Sequence, residues 1–270
     1  MPVTDAEPAP ANDAEHLAKA VREAGALALG KFRGPIRSWL KGASSPVCEA
    51  DIEADRLLHE RLTAARPDYG WLSEESVDDG TRLAARRVWV VDPIDGTRGF
   101  IAGHPDWAVS AALVEDGRPV AAALFAPVSD ELFLAVRGGG ATRNGVPIYA
   151  NQGERLDDAR VAGPPRRLDR LATMLPGIAA AAKIHSLALR LARVADGVLD
   201  AALAGPNSRD WDLAAADLLV HEAGGALTSL DGQPPIYNRP EPVHRALFAA
   251  GRARHAALLA LLRDRGNDFA

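Results

Sequence analysis

The sequence predicts a mixed α/β (α+β) fold. Segments with apolar residues at helical spacing occur in both halves of the 270-residue chain, and short apolar runs with the length of strands lie between them. Over residues 107–148 the short runs follow one another directly, separated by turn sequences such as Glu115-Asp116-Gly117, which is typical of an antiparallel meander. A hydrophobic content of 47% is enough to fill a sizeable core.

The helices and strands can be assigned in order along the chain. The predicted elements are a helix over 14–31, a helix that begins at Asp51 and ends before Pro67, strands over 69–72 and 88–91, the meander over 107–148, a strand near 161, helices over 168–174, 187–195 and 211–223, strands over 226–229 and 246–249, and a final helix over 254–262. Stop signals support the helix ends, because Gly34-Pro35 follows the first helix and Gly224-Gly225 follows the helix over 211–223.

The length of the chain allows two lobes that share an interface. We place the boundary near residue 150, which gives an N-terminal lobe over 14–150 and a C-terminal lobe over 151–270. Residues 1–13 are acidic and rich in Pro and Ala, without the basic region and apolar core of a signal peptide. We expect them to form a short disordered lead.

Charge and cysteine content narrow the class of protein. The formal net charge of -5 gives no global basic field that would attract a nucleic-acid polymer or an anionic membrane. No run approaches the roughly 18 apolar residues of a transmembrane helix. The single cysteine, Cys48, excludes an intramolecular disulfide and a zinc site built from several thiolates. A cytoplasmic protein that binds neither nucleic-acid polymers nor membranes is expected.

The stretch RRVWVVDPIDGTRGF (86–100) places two carboxylates at the end of an apolar strand. Asp92 and Asp95 lie three residues apart, and Gly96-Thr97 follows as a turn that enters a helix. Such a turn offers backbone N–H groups and a hydroxyl to a bound phosphate. On its own, an Asp-x-x-Asp after a strand is more often an N-cap and a turn than a metal site.

Three further places carry acids at the start of a helix or just past a strand, namely Asp51, Glu74-Glu75 and Asp212. Each has an ordinary explanation as a helix cap or a solvated pair, so only the joint pattern favours a metal site. Mg²⁺ prefers oxygen ligands and often binds through a few carboxylates plus a substrate phosphate. Without a cation the same acids would repel one another. The layout suits a two-metal site that hydrolyses a phosphate ester.

Four segments resemble the motifs of the inositol monophosphatase superfamily. They are SSPVCEADIEAD (44–55), LSEES (72–76), WVVDPIDGTRGF (89–100) and WDLAAADLLVHEAGG (211–225). The resemblance implies the layered α/β/α/β/α sandwich of the inositol monophosphatase and sugar phosphatase type, with an antiparallel sheet in each lobe and the site between them. It also implies a Mg²⁺-dependent, lithium-sensitive phosphatase for a small phosphorylated substrate. Homodimers are common in the superfamily, and the sequence locates no interface.

The resemblance also implies the roles of individual residues. The first ion would be bound by Glu74, Asp92 and the carbonyl of Ile94, the second by Asp92, Asp95 and Asp212, and a third, weaker ion would lie beside Glu74. Asp51 and Thr97 would orient and deprotonate the attacking water, with Glu74 in the same catalytic set, while the amides of Gly96 and Thr97 would hold the phosphate and Glu75 would lie behind the metal ligands.

The segment SPVCEAD is close to the pattern of CysQ-type 3'(2'),5'-bisphosphate nucleotidases, which favours the 3'-phosphate of adenosine 3',5'-bisphosphate as the group removed. That family carries a lysine where Lys41 stands, and a serine and a basic residue that face the nucleotide where Ser186 and Arg190 stand. Asp210 is acidic where the nucleotidases often have glutamate. The segment 204–212 lacks their usual aromatic and arginine residues.

Two alternatives remain open. Inositol 1-phosphate and histidinol phosphate would be served by the same metal core, although Gly205 stands where inositol phosphatases place a glutamate for the inositol hydroxyls. An inactive homologue that only binds a phosphorylated ligand would be expected to lack a metal carboxylate or Thr97, and none is missing. His104 and His185 are interpreted mainly as structural residues, as is Cys48.

Overall fold

The computed structural model describes residues 10–42 and 45–264. Its helices are α1 (Pro10–Lys31), α2 (Glu49–Ala65), α3 (Thr97–Ile101), α4 (Pro165–Met174), α5 (Leu187–Ala195), α6 (Asp210–Glu222) and α7 (Arg252–Asp264). Its strands are β1 (Ser38–Lys41), β2 (Ser45–Cys48), β3 (Gly70–Ser73), β4 (Arg87–Asp95), β5 (Ala108–Glu115), β6 (Arg118–Ala126), β7 (Glu131–Val136), β8 (Gly140–Arg143), β9 (Val146–Pro147), β10 (Arg160–Ala162), β11 (Ala179–Ala180), β12 (Ala201–Ala204), β13 (Ser208–Arg209), β14 (Gly225–Ser229), β15 (Val243–His244) and β16 (Leu247–Gly251).

Two sheets organise the chain. Sheet I contains seven strands in the order β3-β4-β5-β6-β7-β8-β9, and sheet II contains five in the order β11-β10-β12-β16-β14. Strands β5 to β9 pair antiparallel with their neighbours, which confirms the predicted meander. The predicted boundary near residue 150 falls between β9, in sheet I, and β10, in sheet II.

The expectation of an antiparallel sheet in each lobe was wrong, because both sheets are mixed. Strand β3 runs parallel to β4 in sheet I, and β10 runs parallel to both β11 and β12 in sheet II. Parallel neighbours need a crossover connection rather than a tight turn. The chain supplies one between β3 and β4 through a 3₁₀ helix (Thr81–Ala84), and another between β10 and β12 through α4 and α5.

The core is divided into layers by the two faces of each sheet. Trp89 and Val91 of β4 pack with residues of α1 and α2, whereas Val88 and Val90 of the same strand pack with residues of α5 and α6. Sheet II contributes to the second of these cores through its inner face, and its outer face packs against α4 and α7. The order is therefore helices, sheet I, helices, sheet II, helices, as the resemblance implied.

Helix α1 begins at Pro10, four residues before the predicted start at 14. Proline is favoured in the first turn of a helix because the N–H that it lacks would have no helical partner. Asp13 is fully buried and forms an ion pair with Arg66 at 2.7 Å, which ties this turn to the end of α2. The predicted lead over 1–13 therefore overlaps the helix at 10–13, and its residues 1–9 lie outside the described residues.

The hairpin of β1 and β2 was not predicted. All four residues of β1 are exposed, so the strand lacks the alternation of apolar and polar residues that reveals a half-buried strand. The hairpin carries Lys41 beside the loop that follows β3. Among the described residues, no helix combines the length and the hydropathy needed to cross a bilayer.

Candidate active site

Asp92 and Asp95 share one face of sheet I because β4 contains a bulge. Asp92 is paired with Ser110 and Asp95 with Ala108, so three steps along β4 match two along β5. In a regular strand, residues three apart point to opposite faces. The extra residue restores the same face, and Ile94 accordingly packs in the core on the α1–α2 side.

Asp212 approaches the two aspartates from helix α6. It is the third residue of that helix, and its Oδ2 accepts a hydrogen bond from the backbone N–H of Arg209 at 2.6 Å. This is the helix cap that an ordinary reading of Asp212 predicts. One oxygen of Asp212 nevertheless lies within 4.8 Å of one oxygen each of Asp92 and Asp95. The cap and the acidic cluster therefore coexist in one side chain.

The oxygen atoms of this cluster fit a cation. Oδ1 of Asp92 accepts a hydrogen bond from the Ile94 N–H at 3.1 Å, whereas Oδ2 is buried and has no donor among the described residues. Oδ2 of Asp95 accepts from the Ser186 hydroxyl at 2.6 Å and the Ala188 N–H at 2.5 Å. A buried carboxylate oxygen without a partner is costly, and a hard divalent cation would supply one.

Burial and mutual repulsion raise the pKa values of the clustered acids. Burial, followed by the charges of Glu74 and Asp95, raises the pKa of Asp92 well above its usual range. Burial and then the charge of Asp212 raise the pKa of Glu74 to about 8, and burial and then Asp95 raise the pKa of Asp212 to about 7. Burial also raises the pKa of Asp95, against the hydrogen bonds that it accepts. A bound cation would favour the ionised form of all four carboxylates.

Asp51 and Thr97 form a buried pair beside the cluster. The Thr97 hydroxyl lies 2.9 Å from Oδ1 of Asp51 and 2.9 Å from the carbonyl oxygen of Ile94. Oδ2 of Asp51 accepts from the N–H of Cys48 at 2.9 Å and from its thiol at 2.7 Å. Burial raises the pKa of Asp51, and the hydrogen bonds from Cys48 and Thr97 act in the opposite direction.

The thiol of Cys48 is a donor rather than a nucleophile. Burial, followed by the charge of Asp51, raises the pKa of this thiol to about 12. The side chain is fully buried, so it packs in the core as the sequence suggested. Its hydrogen bond to Asp51 was not anticipated from the sequence.

The acids lie around a cavity of about 250 Å³. Glu74, Asp92, Asp95 and Asp212 line it together with the turn at Gly96-Thr97. The rest of its lining includes the basic residues Arg98 and Lys183, together with His185. The cavity thus combines a group of oxygen ligands with basic side chains, which suits an anionic substrate held beside metal ions.

Comparison with known proteins decides the family. The model of the inositol monophosphatase family matches residues 10–267. The chain belongs to this family. It is 40% identical over 206 residues to an inositol-1-monophosphatase of Rhizobium meliloti, with 72% of this chain and 75% of that protein covered. It is 31% identical over 230 residues to the 3'(2'),5'-bisphosphate nucleotidase CysQ of Aggregatibacter actinomycetemcomitans, with 78% and 82% covered.

The fold is shared with solved members of the family. The crystal structure of the extragenic suppressor protein suhB from Bartonella henselae matches with a TM-score of 0.82 and 31% identity, covering 92% of this chain and 97% of that one. This member of the inositol monophosphatase family is therefore a phosphatase, and it carries an acidic cluster that could hold metal ions. The relatives differ in their named substrates.

Lys41 lies beside the two glutamates that follow β3. Its ammonium donates to the backbone carbonyl of Glu74 at 2.5 Å and lies 3.0 Å from Oε1 of Glu75 and 3.9 Å from Oε1 of Glu74. The Glu75 side chain is only 3% exposed and does not line the cavity, and its place behind the metal ligands stays a prediction. Lys41, which was predicted to bind substrate, contacts these two acids in the described structure.

Ser186 and Arg190 lie next to Asp95 rather than in the lining of the cavity. The Ser186 hydroxyl donates to Asp95 and accepts from the Leu189 N–H at 2.9 Å, so it caps α5 and supports Asp95 at once. Burial raises the pKa of Asp95, and the charge of the nearby Arg190 acts in the opposite direction. The structure thus places Ser186 where it positions an acid of the cluster, whereas the Nε of Arg190 is buried and has no hydrogen-bond partner among the described residues.

Asp210 is fully buried and lies apart from the cavity. Its Oδ1 is 2.6 Å from Nε2 of His244, and its Oδ2 accepts from the N–H of Asn238 at 2.7 Å. These contacts hold the first turn of α6, two residues before Asp212. Nothing brings Asp210 to the substrate in the described structure, so its predicted binding role has no support there.

Among the cavity-lining residues to which the sequence reasoning assigned no binding role, three carry basic or imidazole side chains, Arg98, Lys183 and His185. Arg98 directly follows the DPIDGT motif, so its position was a signal that could have been used. Lys183 lies in a stretch without a motif. His185 was interpreted mainly as structural, because nothing local shows that Asp106, which is 79 residues away, orients its ring.

Proposed function

We propose that this protein is a Mg²⁺-dependent phosphomonoesterase. The observation that carries the proposal is the convergence of Asp92, Asp95 and Asp212, with a buried Asp92 oxygen that has no donor among the described residues. Asp92, Asp95, Asp212, Glu74 and the carbonyl of Ile94 offer oxygen atoms only, and Mg²⁺ is the common cation that prefers such ligands. Two or three ions would be held by this set.

When bound, the ions would lower the pKa of a coordinated water and stabilise charge on the phosphate and on the leaving oxygen. The chain itself supplies the proton acceptor. The Thr97 hydroxyl has one proton and two acceptors within reach, Asp51 and the Ile94 carbonyl. If the carbonyl faces a cation, this proton goes to Asp51, and the lone pairs of the threonine oxygen remain to accept a hydrogen bond from the attacking water.

Asp51 then receives the proton that leaves the water through Thr97. Its other oxygen is fixed by Cys48, so the carboxylate presents Oδ1 to the threonine in one orientation. A positioned base of this kind contributes about 10²–10⁴-fold to a rate. The amides of Gly96 and Thr97 would hold the phosphate. Glu74 would belong to the catalytic residues as well as to the metal ligands.

The substrate we favour is adenosine 3',5'-bisphosphate, with its 3'-phosphoryl group transferred to water and the 3'-oxygen as the leaving group. Support comes from the SPVCEAD segment, from the CysQ relative, and from Arg98, Lys183 and His185 in the cavity lining. All carboxylates that line the cavity belong to the proposed metal ligands. Gly205 leaves no acid at the position that inositol phosphatases use for hydroxyl groups.

The experiment that tests this function is a phosphate-release panel at fixed Mg²⁺ with purified protein. We expect the highest kcat/KM for adenosine 3',5'-bisphosphate, compared with inositol 1-phosphate, histidinol phosphate and simple sugar phosphates. Higher kcat/KM for inositol 1-phosphate would overturn the substrate assignment and leave the metal chemistry intact. Absence of turnover on the whole panel would overturn the enzyme assignment.

Inositol 1-phosphate is the second candidate substrate. The specific observation in its favour is the 40% identity to an inositol-1-monophosphatase, which exceeds the 31% identity to the nucleotidase. The proposed metal ligands would serve either substrate. The panel therefore distinguishes the two substrates by how well the protein binds the part of each molecule other than the phosphate.

A further inference from the structure

Lys183 and His185 form part of the cavity lining outside the proposed metal ligands. They lie in the segment that joins β11 to α5, and only Ile184 separates them. The backbone of this segment packs on the turn that would hold the phosphate, because a Cβ added to Gly96 would lie 3.1 Å from the Ser186 nitrogen. Lys183 and His185 therefore border the cavity beside the turn that is proposed to hold the phosphate.

Asp106 fixes the position of His185 through three contacts. Its Oδ2 accepts from the His185 N–H at 2.5 Å, and its two carboxylate oxygens lie 2.9 and 3.0 Å from Nδ1 of the ring. The neighbouring Ser186 N–H donates to the Asp106 carbonyl at 3.0 Å. Because Asp106 occupies Nδ1, Nε2 is the polar atom of the ring left for another partner, and no residue of the described chain takes it.

Two further residues restrict the ring. His104 stacks on it with centroids 4.2 Å apart and planes only 18° from parallel. His104, Asp106 and His185 each have one ligand atom within 4.8 Å of the others, but the lone pairs of imidazole nitrogens lie in the ring plane, so two stacked rings are poorly directed towards one ion and the stack favours ring placement. On helix α3, a Cβ at Gly99 would lie 2.7 Å from the His185 Cβ, so the absence of a side chain at 99 makes room for His185.

We propose that Lys183 and His185 form a second anion subsite, which binds a negatively charged group that the substrate carries in addition to the phosphate that is removed. The inference rests on the proposed phosphatase function. Lys183 contributes a full positive charge. The Asp106 carboxylate accepts from the Nδ1–H of His185, so Nε2 donates to the anion in the doubly protonated form of the ring. A second phosphate on a small molecule is the ligand chemistry that fits, as in a nucleoside bisphosphate, whereas a monophosphate with a neutral remainder leaves the subsite unused.

The test compares two substrates that differ by one phosphate. The ratio of kcat/KM for adenosine 3',5'-bisphosphate to that for adenosine 3'-monophosphate is measured for the wild type, Lys183→Gln and His185→Gln. We expect a wild-type ratio well above one and a roughly tenfold lower ratio in each variant, through KM for the bisphosphate. The constants for the monophosphate should stay within about twofold. Lys183→Arg should restore most of the ratio, because it keeps the charge.

Matched controls are Lys19→Gln and His16→Gln on α1, a helix that contributes no residue to the cavity lining. Both should keep the wild-type ratio. A wild-type ratio near one, or equal losses on the two substrates, overturns the inference while the phosphatase function stands. If neither nucleotide is hydrolysed, the proposed substrate fails, and calorimetry with Ca²⁺ still decides the subsite. The bisphosphate must then bind more tightly than the monophosphate, and Lys183→Gln must remove the difference.

Discussion

Asp51 and Asp212 occupy the same position in two different helices. Each is the third residue of its helix, and each accepts, through Oδ2, a hydrogen bond from the backbone N–H of the residue before the helix, at 2.9 Å from Cys48 and 2.6 Å from Arg209. The same local device therefore delivers an acid to the site from α2 and from α6. In both, the oxygen that caps the helix also fixes the direction of the other oxygen.

Replacing Thr97 by valine should remove the link between Asp51 and the attacking water. We expect kcat to fall by about 10²–10⁴-fold, because a positioned proton acceptor is lost. Thr97→Ser keeps the hydroxyl and should retain most of the activity. The measurement is kcat at saturating Mg²⁺, with the melting temperature of each variant as a check on folding. Equal losses in the serine and valine variants would contradict the role of the hydroxyl.

Asp95→Asn should abolish detectable turnover while the fold is kept, because one proposed metal ligand is lost at a site that the backbone has already formed. Ligand binding to the folded state raises stability by RT ln(1 + [L]/Kd). The wild type should therefore melt at a rising temperature as Mg²⁺ is added, and Asp95→Asn should respond much less. Normal activity in this variant, or an unchanged response to Mg²⁺, would exclude Asp95 as a ligand.

Cys48→Ala should lower activity through Asp51, because the thiol that donates to Oδ2 at 2.7 Å is lost. A hydrogen bond to a charged group contributes about 1.5–3 kcal/mol, so both the unfolding free energy and kcat should decrease measurably. Cys48→Ser keeps a donor and is the matched control. If alanine and serine behave alike in kcat, the thiol acts only as a packing residue.

His255 should make the folded state sensitive to acid. Burial lowers its pKa to about 4 from the usual 6.5, so between these values the unfolded chain binds a proton that the folded chain does not. Stability should therefore fall as the pH is lowered from 6.5 to 4, by a total on the order of 3 kcal/mol. Urea unfolding across this range should show a smaller decrease for His255→Gln. If the unfolding free energies of the wild type and His255→Gln decreased equally with pH, His255 would not be the group responsible.

The sequence predicts the chemistry of this site better than its geometry. The acids of DPIDGT and Trp211-Asp212 could be recognised as potential oxygen ligands, and most helices were expected within a few residues of their observed bounds. The bulge in β4 could not be foreseen, because a bulge depends on the pairing with β5 and not on the apolar pattern of β4 itself. Without it, Asp92 and Asp95 would have been assigned to opposite faces.

The direction of the side chains was the second feature that the sequence did not predict. Ser186 and Arg190 were expected to face the substrate, yet Ser186 donates to Asp95 and neither residue lines the cavity, while Lys183 and His185 do. Helical spacing says which residues share a face but not what lies opposite that face. Here the partners, Asp95 and Asp106, belong to a distant part of the chain, and only the folded structure brings them together.

The bulge also means that the number of residues between the two aspartates has to match the way in which β4 pairs with β5. Substitution of Pro93 leaves the count of residues between the two aspartates unchanged. Deletion of the same residue would leave two steps along β4 against two along β5, so an uninterrupted pairing would still place both carboxylates on one face. An uninterrupted pairing of the full-length segment would instead turn the two carboxylates to opposite faces although every acid is still present, so in related chains the bulge is as informative as the letters.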